Sequence, residues 1–202
     1  MAKISCNLGS LFHRIYKQDA LYRNDFCTGE SLSNLWRTLE ALLEKHQSMV
    51  FSIAVRITGN RELAEEVTQD VFLELHRNLN AGQAGVHAGV QTEAHALFWL
   101  RKVASHRAID AVRNRARIPE TSEDVDELAG ENHPSDPLLD RRLRRMVEGL
   151  PEQMKAVIVL RYQEDLMPQE IADTLNMPVT TVKSNLHRGL EILREKTERV
   201  LR

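Results

Sequence analysis

The chain has 202 residues, 42% of them hydrophobic and only 5% aromatic, and 27 Lys and Arg against 29 Asp and Glu leave a net charge of −2. That length suits one or two domains, and the scarcity of aromatic residues points to helices packed through Leu, Val, Ile and Ala. Cys6 and Cys27 are too few and too far apart for a disulfide framework or a zinc site. No apolar run approaches the ~20 residues of a membrane span, and the N-terminus lacks the apolar core of a signal peptide. A soluble cytoplasmic protein without membrane insertion is expected.

In chain order, Met1 to Ser33 scatters its apolar residues and reads as an N-terminal extension, 1–31, loosely attached to the rest of the chain. Leu35 to Thr58 is helical in pattern, with Leu35, Leu39, Leu42, Leu43, Val50, Phe51, Ala54, Val55 and Ile57 at helical spacing. Gly59-Asn60 stops it, and Asn60 can cap the next helix, Arg61 to about Asn78. Ala64, Val67, Val71 and Leu75 form that helix's core stripe. Glu62, Glu66, Gln69, Asp70, Leu73 and Arg77 occupy its other side, and a leucine framed by acids and an amide suggests a protein-binding surface. Asn80 to Gln91, rich in Gly and Ala and without charge, reads as a loop.

Thr92 can cap a long helix to about Arg115, on which Trp99, Val103, His106, Asp110 and Arg113 share one stripe. Asp110 can pair with its helical neighbours or orient Arg113 toward a phosphate; Trp99 suits a core position. Charge is strongly segregated here. His95 to Arg117 carries Arg101, Lys102, Arg107, Arg113, Arg115 and Arg117 against Asp110 alone. The adjoining Ile118 to Leu138 holds seven acids and no Lys or Arg, ends in a Pro-rich run and reads as an acidic linker. Helix resumes over Leu138 to Glu148, breaks at Gly149-Leu150-Pro151, and restarts with Pro151 in the first turn.

Asp165 to Arg194, DLMPQEIADTLNMPVTTVKSNLHRGLEILR, reads as a helix-turn-helix. Gln169 to Leu175 is a short helix, Asn176-Met177 a tight turn that Asn tolerates in the left-handed conformation, and Pro178 closes it. In the second helix Val182, Leu186, Leu190 and Leu193 are expected to face a core. Thr181, Ser184, Asn185 and Arg188 then point outward together, flanked by Lys183 and His187, with chemistry suited to the major groove. Arg188 has the fork for a guanine edge and Asn185 the amide for adenine; Thr181 and Lys183, near the helix N-terminus, suit phosphates. The expected architecture is all-α: a helical domain over 32–117, a linker over 118–137 and a helix-turn-helix domain over 138–202. No Gly-rich phosphate loop, HExxH or nucleophile motif appears, so no enzyme, catalytic residue, metal or cofactor is expected. A repressor would need a sensing or dimerising domain, which the first half does not offer.

Four stretches together resemble an extracytoplasmic-function sigma factor of the sigma-70 family: RITGNRELAEEVTQDVFLEL (Arg56 to Leu75), FWLRKVASHRAIDAVRNR (Phe98 to Arg115), LPEQMKAVIVLRY (Leu150 to Tyr162) and MPVTTVKSNLHRGLEILR (Met177 to Arg194). The resemblance covers nearly everything after residue 34. It implies a transcription initiation factor that binds core RNA polymerase, at the beta-prime clamp helices and the beta flap, and directs it to promoter DNA, with an anti-sigma factor as a further partner. Glu66, Gln69, Asp70, Phe72 and Leu73 match polymerase-docking positions. The basic helix matches the part that engages the −10 element, implying Trp99, Arg101, Lys102, His106, Arg113 and Arg117 as contacts. The recognition helix matches the −35 reader, with Thr181, Lys183, Ser184, Asn185 and Arg188. The acidic linker matches a segment threading the polymerase channel. The sequence departs from the family at His106 (usually Asn), Asp165 and Thr180 (often Gly) and Asn185 (often Arg), and in its longer Gly-rich loop, which implies an altered promoter preference. A sigma-like decoy that sequesters an anti-sigma factor is the alternative.

Overall fold

The structure is a computed structural model and describes residues 29–83, 93–116 and 144–201. Every regular element among them is a helix.

Helix α1, Gly29–Thr58, starts ahead of its expected first residue and buries Leu39, Leu43, Val50, Ile53, Ala54 and Ile57. It ends where the chain turns left-handed at Gly59, φ +68°, whose N–H donates to the Val55 carbonyl at 2.9 Å. A side chain would have room there, so it is the positive φ that calls for glycine. Asn60 then caps α2, Arg61–Gln83, its Oδ1 accepting the Leu63 N–H at 2.9 Å. Ala64, Val67, Val71 and Leu75 are buried as the periodicity requires. Helix α2 does not stop at Asn78. That side chain folds back to donate to the Glu74 carbonyl at 2.9 Å, and the helix continues into the Ala-Gly stretch expected to be loop.

Helix α3, Glu93–Ala116, packs on α1 and α2 through Ala96, Leu100, Ala104 and Ala108, a mostly alanine stripe at four-residue spacing that lets the backbones approach closely. Arg107 bridges α3 to α2, its Nε and Nη2 donating to Glu74 Oε2 at 3.3 and 2.8 Å. These three helices form the first unit.

The second unit begins with helical residues 144–148 and a turn at Gly149-Leu150. Pro151 stands immediately before α4, Glu152–Tyr162, rather than inside its first turn. Its carbonyl accepts the Lys155 N–H at 2.9 Å. Ala156, Val157, Ile158, Val159 and Leu160 are five consecutive buried residues, so α4 is covered on all sides. Lys155 is buried with them, which pushes its ammonium pKa down. Helices α5, Pro168–Leu175, and α6, Val179–Leu201, cover one side of α4. Its other side lies against α1 and α3, and α5 also reaches α3, so one continuous buried cluster runs through both units. The expected linker and most of the Gly-rich loop fall outside the described residues, as does the extension up to residue 28; its last three residues, 29–31, belong to α1.

Candidate nucleic-acid interface

The α5–turn–α6 motif is fixed by local chemistry. Pro168 opens α5 with a ring-set φ, and Glu170 reaches back to accept the Met167 N–H at 2.6 Å, one half of a capping box. Asn176 sits at φ 53°, ψ 47°, and the Met177 N–H closes on the Ala172 carbonyl at 3.0 Å. The Pro178 carbonyl accepts from Thr181 and Val182 at 2.9 and 3.1 Å, which starts α6. Asp165, at the other end of the motif, also lies at φ 54°. That accounts for a glycine being common there, and Asp is among the residues that tolerate the left-handed region.

The inward stripe of α6 differs from the expected one. Val182 is fully buried and Leu186 packs on the core, but Leu190 is 42% exposed. Gly189 takes the inward place instead. A Cβ there would stand 2.6 Å from Ile158 Cδ1 and 3.0 Å from Met154 Cγ of α4, so only hydrogen fits without displacement. The stripe follows the true helical period through Val182, Leu186, Gly189, Leu193 and Lys196, whose Nζ donates to the Met146 carbonyl at 3.1 Å. On the outer face Thr181, Lys183, Ser184 and Arg188 are exposed, and no ion pair to Lys183 or Arg188 occurs among the described residues. Asn185 is half-buried rather than fully outward, at the edge of the face. His187 pairs with Glu191 at 3.3 Å and leaves the group.

Helix α3 holds its basic groups differently. Arg101 Nε donates to Glu164 Oε2 at 2.9 Å, with the two side chains only 21% and 7% exposed. His106 Nε2 lies 3.1 Å from the Thr174 carbonyl oxygen near the end of α5, so this nitrogen carries the ring proton and donates. That carbonyl has no partner within its helix. Arg113 Nε donates to Glu152 Oε1 at 3.1 Å, while Asp110, its expected helical partner, is at 4.0 Å. The Glu152 carboxyl is held below the usual carboxylate range by its own backbone N–H and by Arg113. Gln163 Nε2 donates to Ser52 Oγ of α1 at 2.8 Å. Of the expected −10 contacts, then, Arg101, His106 and Arg113 face the second unit. Lys102 lies over the Phe98 ring at 5.9 Å, Trp99 packs against the core, and Arg117 lies outside the described residues. The partners Glu152, Gln163 and Glu164 carried no signal in the sequence, because each contact joins residues distant along the chain.

On α2, Glu66 and Asp70 are exposed and Gln69 is half-buried beside them. Leu73 is half-buried and packed on the core rather than exposed. Phe72 requires a correction: at 0% exposure it is among the largest fully buried side chains, so it supports this face from beneath and cannot touch a partner. Among the described residues no cluster of acids, His or Cys could hold a metal ion, and no helix is long and apolar enough to cross a membrane.

A helical chain with a capped helix-turn-helix and a free polar recognition face is a DNA-directed regulator in form. Residues 42–118 match the family model described as Sigma-70 region 2, and residues 140–193 match that described as Sigma-70, region 4. Together these matches cover more than half of the chain. It is 31% identical over 163 residues to the extracytoplasmic-function (ECF) RNA polymerase sigma factor SigE of Mycolicibacterium smegmatis, an alignment spanning 77% of this chain and 60% of that protein. It is 27% identical to the ECF sigma factor SigW of Bacillus subtilis, spanning 77% and 86%, and 26% identical to the ECF sigma-E factor of Escherichia coli, spanning 82% and 90%. The fold resembles that of the sigma factor RpoE in its complex with the anti-sigma factor NepR from Bartonella quintana, with a TM-score of 0.58 and 15% identity over 80% of this chain and 98% of that one. The chain belongs to the sigma-70 family of transcription initiation factors, in its ECF branch.

Proposed function

We propose that this protein binds core RNA polymerase through the outer face of α2 and directs it to promoters by two separate DNA contacts. Helix α3, within a first domain over 32–117, engages the −10 element through Arg101, Lys102, His106 and Arg113. Helix α6, within a second domain over 138–202, reads the −35 element with Arg188 and Asn185 at base edges and Thr181, Lys183 and Ser184 toward the backbone. The acidic linker between them threads the polymerase, where its carboxylates stand in for RNA phosphates. The work is done in the cytoplasm, beside polymerase and chromosome, with an anti-sigma factor as antagonist. The observation that carries this reading is the α5–α6 geometry. A capped short helix and a left-handed Asn176 present Lys183, Ser184 and Arg188 on one exposed face, without ion-pair partners among the described residues. An α-helix of about 10–12 Å diameter fits a major groove about 12 Å wide. The test is transcription with core polymerase on fragmented genomic DNA, mapping RNA 5′ ends. Shared −35 and −10 sequences upstream of the new ends are expected; no ends beyond those made by core polymerase alone would refute the reading.

A further inference from the structure

The outer face of α6 does not end at Arg188. With 3.6 residues to the turn, Val182, Leu186, Gly189 and Leu193 set the inward direction, and the side chain opposite them is Glu191. It follows Thr181, Ser184 and Arg188 at spacings of three, four and three, and its side chain is 57% exposed. It is also the first acid of the helix, since the residues from Val179 to Leu190 are apolar, neutral polar or basic. A lone carboxylate thus stands on a face whose earlier members suit DNA. His187 Nε2 lies 3.3 Å from Glu191 Oε1, and Glu191 has no other partner among the described residues. Two carboxylate oxygens accept several hydrogen bonds, so acceptor capacity remains toward solvent.

We propose that Glu191 is a specificity-determining residue of the −35 reader: its carboxylate accepts from the amino group of a cytosine at a base pair adjacent to the one Arg188 reads, and rejects guanine there. A carboxylate on this face is repelled by phosphates, so it favours binding only where it meets a donor. The major groove offers donors on two bases, cytosine N4 and adenine N6. Adenine presents its donor beside the acceptor N7, which suits the amide of Asn185; a group that only accepts suits cytosine. Guanine turns two acceptors, N7 and O6, toward the carboxylate, so the wrong base is excluded as well as the right one bound. The spacing agrees. Glu191 stands three residues beyond Arg188, about 4.5 Å along the helix axis, against a base-pair step of about 3.4 Å. From Ser184 to Glu191 the axis advances about 10.5 Å, which a groove about 12 Å wide can hold.

The inference rests on the proposed −35 role of α6, and the experiment separates the two. Holoenzyme is formed with the full-length chain as wild type, Glu191→Gln, Glu191→Ala and Arg188→Ala. A charge-matched control is Glu198→Gln, altered at an exposed residue about two turns further along α6. Each selects from promoter fragments that carry the −10 sequence found by 5′-end mapping and a randomised −35 region, and the bound fragments are sequenced. Gln and Ala both suit an exposed helical position, so the fold is retained. Wild type and the Glu198→Gln control should favour cytosine over guanine at least fivefold at one base pair, adjacent to the one whose preference Arg188→Ala relaxes. Both Glu191 variants should lose that preference and keep those at the other positions. Unchanged preferences in the Glu191 variants overturn the inference. So does a uniform gain in binding across all sequences, which would make Glu191 a charge facing the backbone. Either result leaves the functional reading intact. If wild type enriches no −35 sequence at all, α6 is not a reader, and the functional reading fails together with the inference.

Discussion

Arg188 and Lys183 stand little more than one turn apart along α6, yet their chemistry separates their roles. A guanidinium on the groove side can pair with a guanine edge, whereas an ammonium near the helix N-terminus neutralises a phosphate of any sequence. In holoenzyme, Arg188→Ala is expected to cost about 1–3 kcal/mol and to relax preference at one base pair, while Lys183→Ala weakens all −35 sequences alike and lowers the salt slope by about one. Binding titrations on a panel of −35 variants at several salt concentrations check both. If Arg188→Ala weakens every sequence equally, its contact is to a phosphate. Gly189, next to Arg188 on the same helix, carries a different burden: it sets how near α6 comes to α4. Gly189→Leu should destabilise the protein by about 1–3 kcal/mol through overpacking against Ile158 and Met154, despite the better helix propensity of Leu. A lowered urea midpoint measures it.

At the scale of elements, what was legible in the sequence was whatever local rules decide. Gly59-Asn60 marked a helix stop and start because one residue must take a positive φ and the next must accept an orphan N–H, and Asn176 marked the turn for the same reason. The core stripes of α1 and α2 followed from period alone. Three features did not, and each depends on a neighbour. Asn78 looked like a stop but bonds back into its own helix. Leu190 looked like core, but an ideal helix drifts past a strict repeat and hands the inward place to Gly189. Phe72, matched to a docking position, lies beneath that face because α2 is covered on a wider arc than its four-residue stripe suggested. The correction separates two outcomes experimentally. Asp70→Arg should abolish co-purification with core polymerase while leaving helicity and thermal midpoint unchanged. Phe72→Ala should instead lose about 3–5 kcal/mol of stability, visible without any partner. Retention of polymerase by Asp70→Arg would remove α2 from the docking surface.

For the whole molecule, closure of the two units joins groups as distant along the chain as Ser52 and Gln163, and no periodicity announces such a contact. Its pH response has a definite sign. The Glu152 carboxyl is held below its ordinary 4.5, chiefly by its own N–H and then by Arg113; only the Arg113 part depends on the contact between units, and it is complete above 4.5 and lost as pH falls through the lowered value. The hold between the units should therefore weaken only as pH falls below 4.5, and Glu152→Gln should lack that part of the change. The half-buried Arg101–Glu164 pair has a further consequence, in time rather than in affinity. If α3 meets DNA as proposed, parting this pair is a unimolecular step that precedes its use, and the concentration of polymerase does not change the rate of that step. In stopped-flow mixing, the observed rate of promoter capture should rise with polymerase concentration and then level off at a plateau set by opening. In Glu164→Gln that plateau should be higher.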